Sequence, residues 1–195
     1  MKCLKKAEMG MGTLIIFIAM ILVAAVAAGV LIATTNSLQN KALATGKSTT
    51  AEVGTSLNIV QVYGEDGTNQ SLEEYNIVIK LNAGSDPIRF QDLLLTLNLN
   101  DGASEYNYDD TLDCNNQSQT VAGIDYGVRY SINGTANKAG YLVKGDVALM
   151  CFQSHRDVGE SERVILTLIP KVGTPAVIDT TLLSLMVDNR IQLFP

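Results

Sequence analysis

Few side chains in this 195-residue chain have the types and spacing that chemistry requires. Its one histidine, His155, sits in the tetrad Ser154-His155-Arg156-Asp157, which gathers a hydroxyl, an imidazole and a carboxylate in sequence. A nucleophilic triad is defined by geometry in space and not by adjacency, so the tetrad reads as a polar turn. Asp109, Asp110 and Asp113 in YNYDDTLD offer oxygen ligands to a divalent cation. Without the glycine and the alternating ligands of a calcium loop, they read as a solvated acidic loop. Asn69, Asn116 and Asn133 each head an Asn-X-Ser/Thr sequon in a turn-like segment, which makes them N-glycosylation candidates. The sequence holds no phosphate-binding glycine loop, no metal-spaced cysteine or histidine pair and no tryptophan. No cofactor and no metal is therefore expected, and the chain does not read as an enzyme.

Cys3 lies in the basic N-terminal stretch that processing would remove, which leaves Cys114 and Cys151. A bridge between them, worth about 3–4 kcal/mol in the chain-entropy model, and two buried free thiols are both open readings. The formal net charge of −6 and the lack of a Lys/Arg cluster exclude a nucleic-acid partner. That acidity suits a secreted, soluble surface.

The elements that must position these residues fall into two kinds. Leu14 to Ala33 contains no charged residue and is long enough to cross a bilayer. Lys2, Lys5 and Lys6 precede it in a segment, Met1 to Ala7, that has no acid, the pattern of a positive region that stays in the cytoplasm. A secretory signal would have a shorter apolar core of about 7–15 residues followed by a cleavage site. Here the chain runs on without proline as TTNSLQNKALATGKSTTAEVGTSL, with Leu31, Leu38, Ala42, Thr45, Thr49 and Val53 at helical spacings. This predicts one helix from about Thr13 to about Val53, ending near Gly54. Ala24 and Ala28, and Ala25 and Gly29, stand four apart and set small side chains on one face, where helix backbones can approach closely. Small residues are also common in any membrane helix. The amphipathic continuation carries the argument further, because one isolated helix cannot bury its apolar stripe and needs partner helices.

From Leu57 the period becomes two. Residues 57–63, 75–81, 92–99, 127–132, 146–152, 163–169 and 182–187 read as short strands separated by turn-rich pieces. Such strands, with no helical pattern between them, predict an antiparallel β-sandwich. The fold class is therefore α+β, a long hydrophobic N-terminal helix followed by an Ig-like β-domain.

The stretch GMGTLIIFIAMILVAAVAAGVLIATTNSLQNKA, followed by TGKSTTAEV, closely resembles the N-terminal region of archaellins, the subunits of the archaeal swimming filament. The match covers roughly the first 60 residues; the β-rich remainder agrees only in class. The resemblance implies a type IV pilin-like precursor with a prepilin-like (class III) signal peptide at 1–7, a polymerisation helix at 8–55 and an outer β-sandwich at 56–195. It implies a dedicated prepilin-like aspartyl peptidase as a partner. In that family's frame, two basic residues and a small one precede the cut and glycine is the third mature residue. Lys5, Lys6 and Ala7, followed by Glu8, Met9 and Gly10, fit it. Ala7 stands where the family usually has glycine, so a cut after Gly10 is the alternative. The other implied partners are further copies of the chain, other archaellins, the archaellum motor and its assembly platform. The precursor is expected in the cytoplasmic membrane and the mature chain in an extracellular filament, N-glycosylated on its outer domain. Two competing readings share much of this pattern: an archaeal type IV adhesion pilin, and a membrane-anchored extracellular binding module. The binding module would stay monomeric after leader removal, whereas a filament subunit would pellet as polymer.

Overall fold

The structure is a computed structural model that describes residues 2–65, 71–112, 114, 124–183, 186 and 188–195, with side chains from residue 10 onward. It divides into two compact units, Met1–Thr49 and Thr50–Pro195.

A single helix, α1 (Lys2–Gly54), dominates the first unit. Its end agrees with the sequence expectation, but its start lies well before Thr13. Residues 2–12 contain no proline and several good helix formers, and the two glycines at positions 10 and 12 each weaken a helix by only about 1 kcal/mol. At about 1.5 Å per residue, α1 is roughly 80 Å long. Every residue from Gly10 to Thr50 is exposed. Leu14, Phe17 and Val26 retain 62%, 65% and 69% of their accessible surface. The apolar run keeps its polar groups to itself: the Thr13 hydroxyl donates to Gly10 O at 3.0 Å and that of Thr34 to Leu31 O at 3.0 Å.

The second unit contains β1 (Leu57–Glu65), β2 (Ser71–Leu81), β3 (Ile88–Arg89), β4 (Leu93–Leu99), β5 (Gly102–Tyr108), β6 (Asp125–Ile132), β7 (Tyr141–Leu142), β8 (Val147–Gly159), β9 (Arg163–Pro170), β10 (Ala176–Thr181) and β11 (Arg190–Phe194). Nine of them run in the order β10-β9-β4-β5-β6-β8-β2-β1-β11, and β3 pairs with β7 as a separate ribbon. Pairing is antiparallel except between β5 and β6, which run parallel over Asn107↔Asp125 and Tyr108↔Tyr126. This short parallel seam joins two layers, β10-β9-β4-β5 and β6-β8-β2-β1-β11, whose inner faces share one core. Leu93, Leu95, Leu97 and Leu99 alternate inward from β4 and meet Val164, Leu166 and Leu168 from β9. Tyr75, Ile77, Ile79, Met150 and Phe152 supply the other layer. Tyr106 crosses to Phe152 with ring centroids 4.7 Å apart.

Two bulges explain why the period-two pattern breaks in the first strands. In β1 the buried positions pass from Leu57 and Ile59 to Val62, and the register shifts between Ile59 and Gln61. In β2 they pass from Leu72 to Tyr75, across a shift between Leu72 and Glu74. In β1 the one extra residue reverses which parity faces the core; at the β2 shift the extra residues lie in β8, where Val158 to Gln153 runs five positions against two from Leu72 to Glu74.

The strand expected at 182–187 is not formed by its described residues. Leu182 and Met186 are buried, but they reach the core without a ladder. Leu182 N donates to Glu162 O at 2.9 Å, and Met186 N donates to the Glu160 carboxylate at 2.9 Å. Buried apolar residues such as Leu182 and Met186, whose amides are satisfied by the β8–β9 turn, have the hydrophobicity of a strand without the pairing.

Candidate assembly interface

Among the described residues, the exposed large hydrophobics are concentrated on the helix. Among the described residues it is the one segment long and apolar enough to cross a membrane. Ala24, Ala25, Ala28 and Gly29 lie exposed on it, and a Cβ added at Gly29 would meet nothing within 4 Å. Such a surface is stable in lipid or against copies of itself, and it is not stable in water. Lys5, Lys6, Ala7, Glu8 and Gly10 all lie on helical backbone; the side chains of the first four lie outside the described residues.

At the start of the β-domain, Thr55 and Ser56 are held by a compact set of hydrogen bonds. Ser56 N donates to the Ser85 hydroxyl oxygen at 3.0 Å, Asn82 Nδ2 donates to the Ser56 hydroxyl at 2.8 Å, and Thr174 N donates to Thr55 O at 3.0 Å. Thr55 is buried. Gly173 packs on it with φ of 125°, and a Cβ there would sit 2.6 Å from Thr55 O. Only glycine fits.

Of the three sequons, Asn69 and Asn116 lie outside the described residues. Asn133 is exposed at the end of β6, on a turn that Asp146 fixes. Asp146 is itself buried; its carboxylate accepts from Gly134 N at 2.7 Å and from Val143 N at 3.1 Å. Gly134 approaches Lys144 O so closely that a Cβ would lie 2.9 Å from it. The middle residue of the sequon is thus set by packing.

Cys114 and Cys151 are brought together as a disulfide, with Cα atoms 5.6 Å apart. With Tyr63 and Leu149 they form a small second cluster, which covers the outer face of β8 and leaves residues 148–152 buried on both sides.

The remaining sequence candidates do not converge. Asp109 accepts from both Thr111 N and the Thr111 hydroxyl at 2.8 Å, and these bonds hold its carboxyl below the usual aspartate value. Asp113 lies outside the described residues, among which no group of three metal-ligating side chains occurs. The Ser154-His155-Arg156-Asp157 tetrad is a stretch of β8 and not a turn. Strand alternation sends Ser154 into the core and His155 outward to the Ser104 hydroxyl at 2.7 Å, so the two cannot act on one substrate.

Arg156 has a role that its sequence neighbours do not reveal. Its guanidinium binds both Asp101 oxygens at 2.7 Å and also pairs with Glu162, tying the β4–β5 turn to the β8–β9 turn. This contact holds the Glu162 carboxyl below its ordinary value and pushes the Arg156 guanidinium further up. Asp101 lies 55 residues away in sequence, so no local pattern announces the pair.

A lone exposed apolar helix carried by a β-sandwich is the composition of a pilin-like filament subunit. Residues 7–180 match the archaeal-type flagellin family, and the chain belongs to it. Flagellin B4 of Pyrococcus abyssi is 34% identical over 91% of this chain and 93% of its own length. Flagellin B1 of Methanocaldococcus jannaschii is 36% identical over 97% of this chain and 95% of its own. Among solved structures, a crystal structure of an archaeal flagellin from M. jannaschii aligns with a TM-score of 0.64 at 24% identity, over 72% of this chain and 97% of that one. The archaeal flagellum of Methanospirillum hungatei aligns at 0.69 and 15% identity, over 95% of this chain and 99% of that one. These two likenesses establish the fold. The chain is an archaellin, a structural subunit of the archaeal motility filament.

Proposed function

We propose that the chain is made as a membrane-anchored precursor, cut after Ala7 by a prepilin-like aspartyl peptidase, and polymerised through α1 into an extracellular filament. Residues 8–55 form the core of that polymer and residues 56–195 its outer layer, on an assembly platform in the cytoplasmic membrane. The role is mechanical, without catalysis or cofactor, and other archaellins are admitted as co-subunits. The observation that carries this reading is the exposure of the whole surface of α1 from Gly10 to Thr50. In the membrane that surface faces acyl chains; in the polymer it faces other copies of itself. The N-linked sugars, at Asn133 and at the two further sequons, lie on the outer layer in this arrangement, where bulk does not obstruct the core.

The test is a strain that expresses the chain with Lys5 and Lys6 replaced by glutamine. The expected result is uncut precursor in the membrane fraction and no filament containing it. Normal filaments assembled from uncut chain would overturn the processing step.

A further inference from the structure

Beside the β3–β7 ribbon lies a cavity of about 460 Å³ that the assembly reading leaves without a role. Six side chains give it its chemistry: Arg89, Gln91, Tyr108, Asp110, Tyr130 and Tyr141. All six carry a polar group, and the lining contains no large aliphatic residue. This wall is poorly suited to a lipid tail or an apolar peptide side chain.

The aromatic members are fixed from behind by the core. Tyr108 packs on Phe90 and Tyr126 with centroids 5.6 and 5.8 Å away, and Tyr130 meets the Phe90 edge at 6.1 Å. The Tyr130 hydroxyl lies 2.7 Å from Tyr141 O and 3.0 Å from Lys138 O, which anchors the turn that carries Tyr141. Lys138 Nζ sits 4.2 Å over the Tyr141 ring. Arg89 and Tyr141 are cross-strand partners of the ribbon. Arg89 also donates to the Gln91 side-chain oxygen, which orients both groups and leaves the other guanidinium N–H groups and the amide nitrogen for a ligand.

A rigid aromatic wall facing a mixed set of donors and acceptors fits a molecule with an apolar C–H face and a rim of hydroxyls, each able to donate and accept. The Arg89 cation is balanced by the Asp110 carboxylate on the same rim, so no net charge is demanded of the ligand. We propose that this cavity is a binding site for a neutral pyranose sugar. Such a ring could reach it from free extracellular saccharide or from a glycan on Asn133, which opens the loop whose other end, Ala139 and Gly140, lines the cavity. The proposal concerns the β-domain alone and does not depend on how the chain polymerises.

The test is saturation-transfer difference NMR on the detergent-solubilised full-length chain, in glycosylated and unglycosylated forms. The probes are glucose, galactose, mannose and N-acetylglucosamine, with glucuronate and a proline hexapeptide as comparisons. At least one neutral sugar is expected to receive saturation on its ring protons. Arg89→Ala and Gln91→Ala, both at exposed positions, should each weaken it by about tenfold while the thermal melt is unchanged. Binding to both forms identifies free saccharide as the ligand, and binding to the unglycosylated form alone identifies the attached glycan as occupant. Absence of transfer to all four sugars in the unglycosylated chain, binding indifferent to both variants, or a stronger response to the proline peptide would overturn the proposal.

Discussion

Gly29→Leu separates a packing helix from a mere anchor. Nothing lies within 4 Å of the position a Cβ would take at Gly29, so the fold of the single chain does not oppose leucine. The substitution improves helix propensity by somewhat under 1 kcal/mol and favours partition into lipid, so insertion of the precursor is expected to be intact. In a polymer core where small residues set the distance between helices, the added isobutyl group overpacks the contact by about 1–3 kcal/mol. Every incoming subunit meets the same penalty. The concentration needed for growth therefore rises roughly 5- to 150-fold, at 1.4 kcal/mol per decade. Membrane fractionation of the variant precursor, paired with electron microscopy of surface filaments, reads both halves. Wild-type filament yield and diameter from Gly29→Leu would refute the reasoning, because fluid acyl chains move aside for a leucine and a close-packed core does not.

Terminal-peptide mass spectrometry of filaments is expected to show a mature start at Glu8; a start at Met11 would move the cut to Gly10. Non-reducing peptide mapping should recover Cys114 and Cys151 in one linked pair, and replacing both by serine should lower stability by about 4 kcal/mol for a 37-residue separation. Recovery of both as alkylatable thiols without reductant would contradict the bridge. Gly173→Ala forces a side chain into a left-handed conformation against Thr55 O and should destabilise the β-domain by at least about 2 kcal/mol, measured by thermal unfolding; an unchanged midpoint would sink the argument. The Glu162 carboxyl is held below its ordinary 4.5 by Arg156. Its contribution is therefore complete above that pH and is lost as pH falls through the folded value. Arg156→Ala should flatten the acid limb of the stability profile, and an identical limb in wild type and variant would show that the clamp contributes nothing.

What could be read from the chain before its structure depended on how far each cause extends along the sequence. The helix was legible because twenty uncharged residues and the spacing from Leu31 to Val53 are local signals. β4 and β9 were legible because strict alternation places Leu93, Leu95, Leu97 and Leu99 on one face. β10 and β11 carry mixed patterns, with only Ile178 and Ile191 well buried, so their positions follow from the neighbours they pair with. The segment at 182–187 misled for the opposite reason: Leu182 and Met186 are buried, but a turn carbonyl and a carboxylate take the amides that a ladder would have used. The polar contacts of the β-domain were the least legible. Asp146 reaches Gly134 across 12 residues and Arg156 reaches Asp101 across 55, and a buried carboxylate looks like any other aspartate until the fold closes around it.

In the pathway proposed above, charge gives a reason for cleavage to precede polymerisation, and it also bears on where the cut would fall. To leave the bilayer as a filament core, the helix must draw its N-terminal end through the hydrocarbon. Each lysine at the bilayer centre opposes this by roughly 2.5–3.5 kcal/mol on the insertion scale, so Lys2, Lys5 and Lys6 together oppose it by roughly 8–10 kcal/mol. Intact, the leader is a lock of about six to seven decades. A cut after Ala7 removes all three lysines, taking the formal charge of the chain from −6 to −9, and exposes a new α-amine beside the carboxylate of Glu8. Those two groups compensate each other, and the end that must cross the apolar layer is close to neutral. A cut after Gly10 would also remove the lysines, but it would discard Glu8 and leave the amine as a lone cation. The same electrostatic argument that makes the leader an anchor thus favours Ala7 as its boundary, because only that cut supplies the carboxylate that allows the terminus to be buried among other helices.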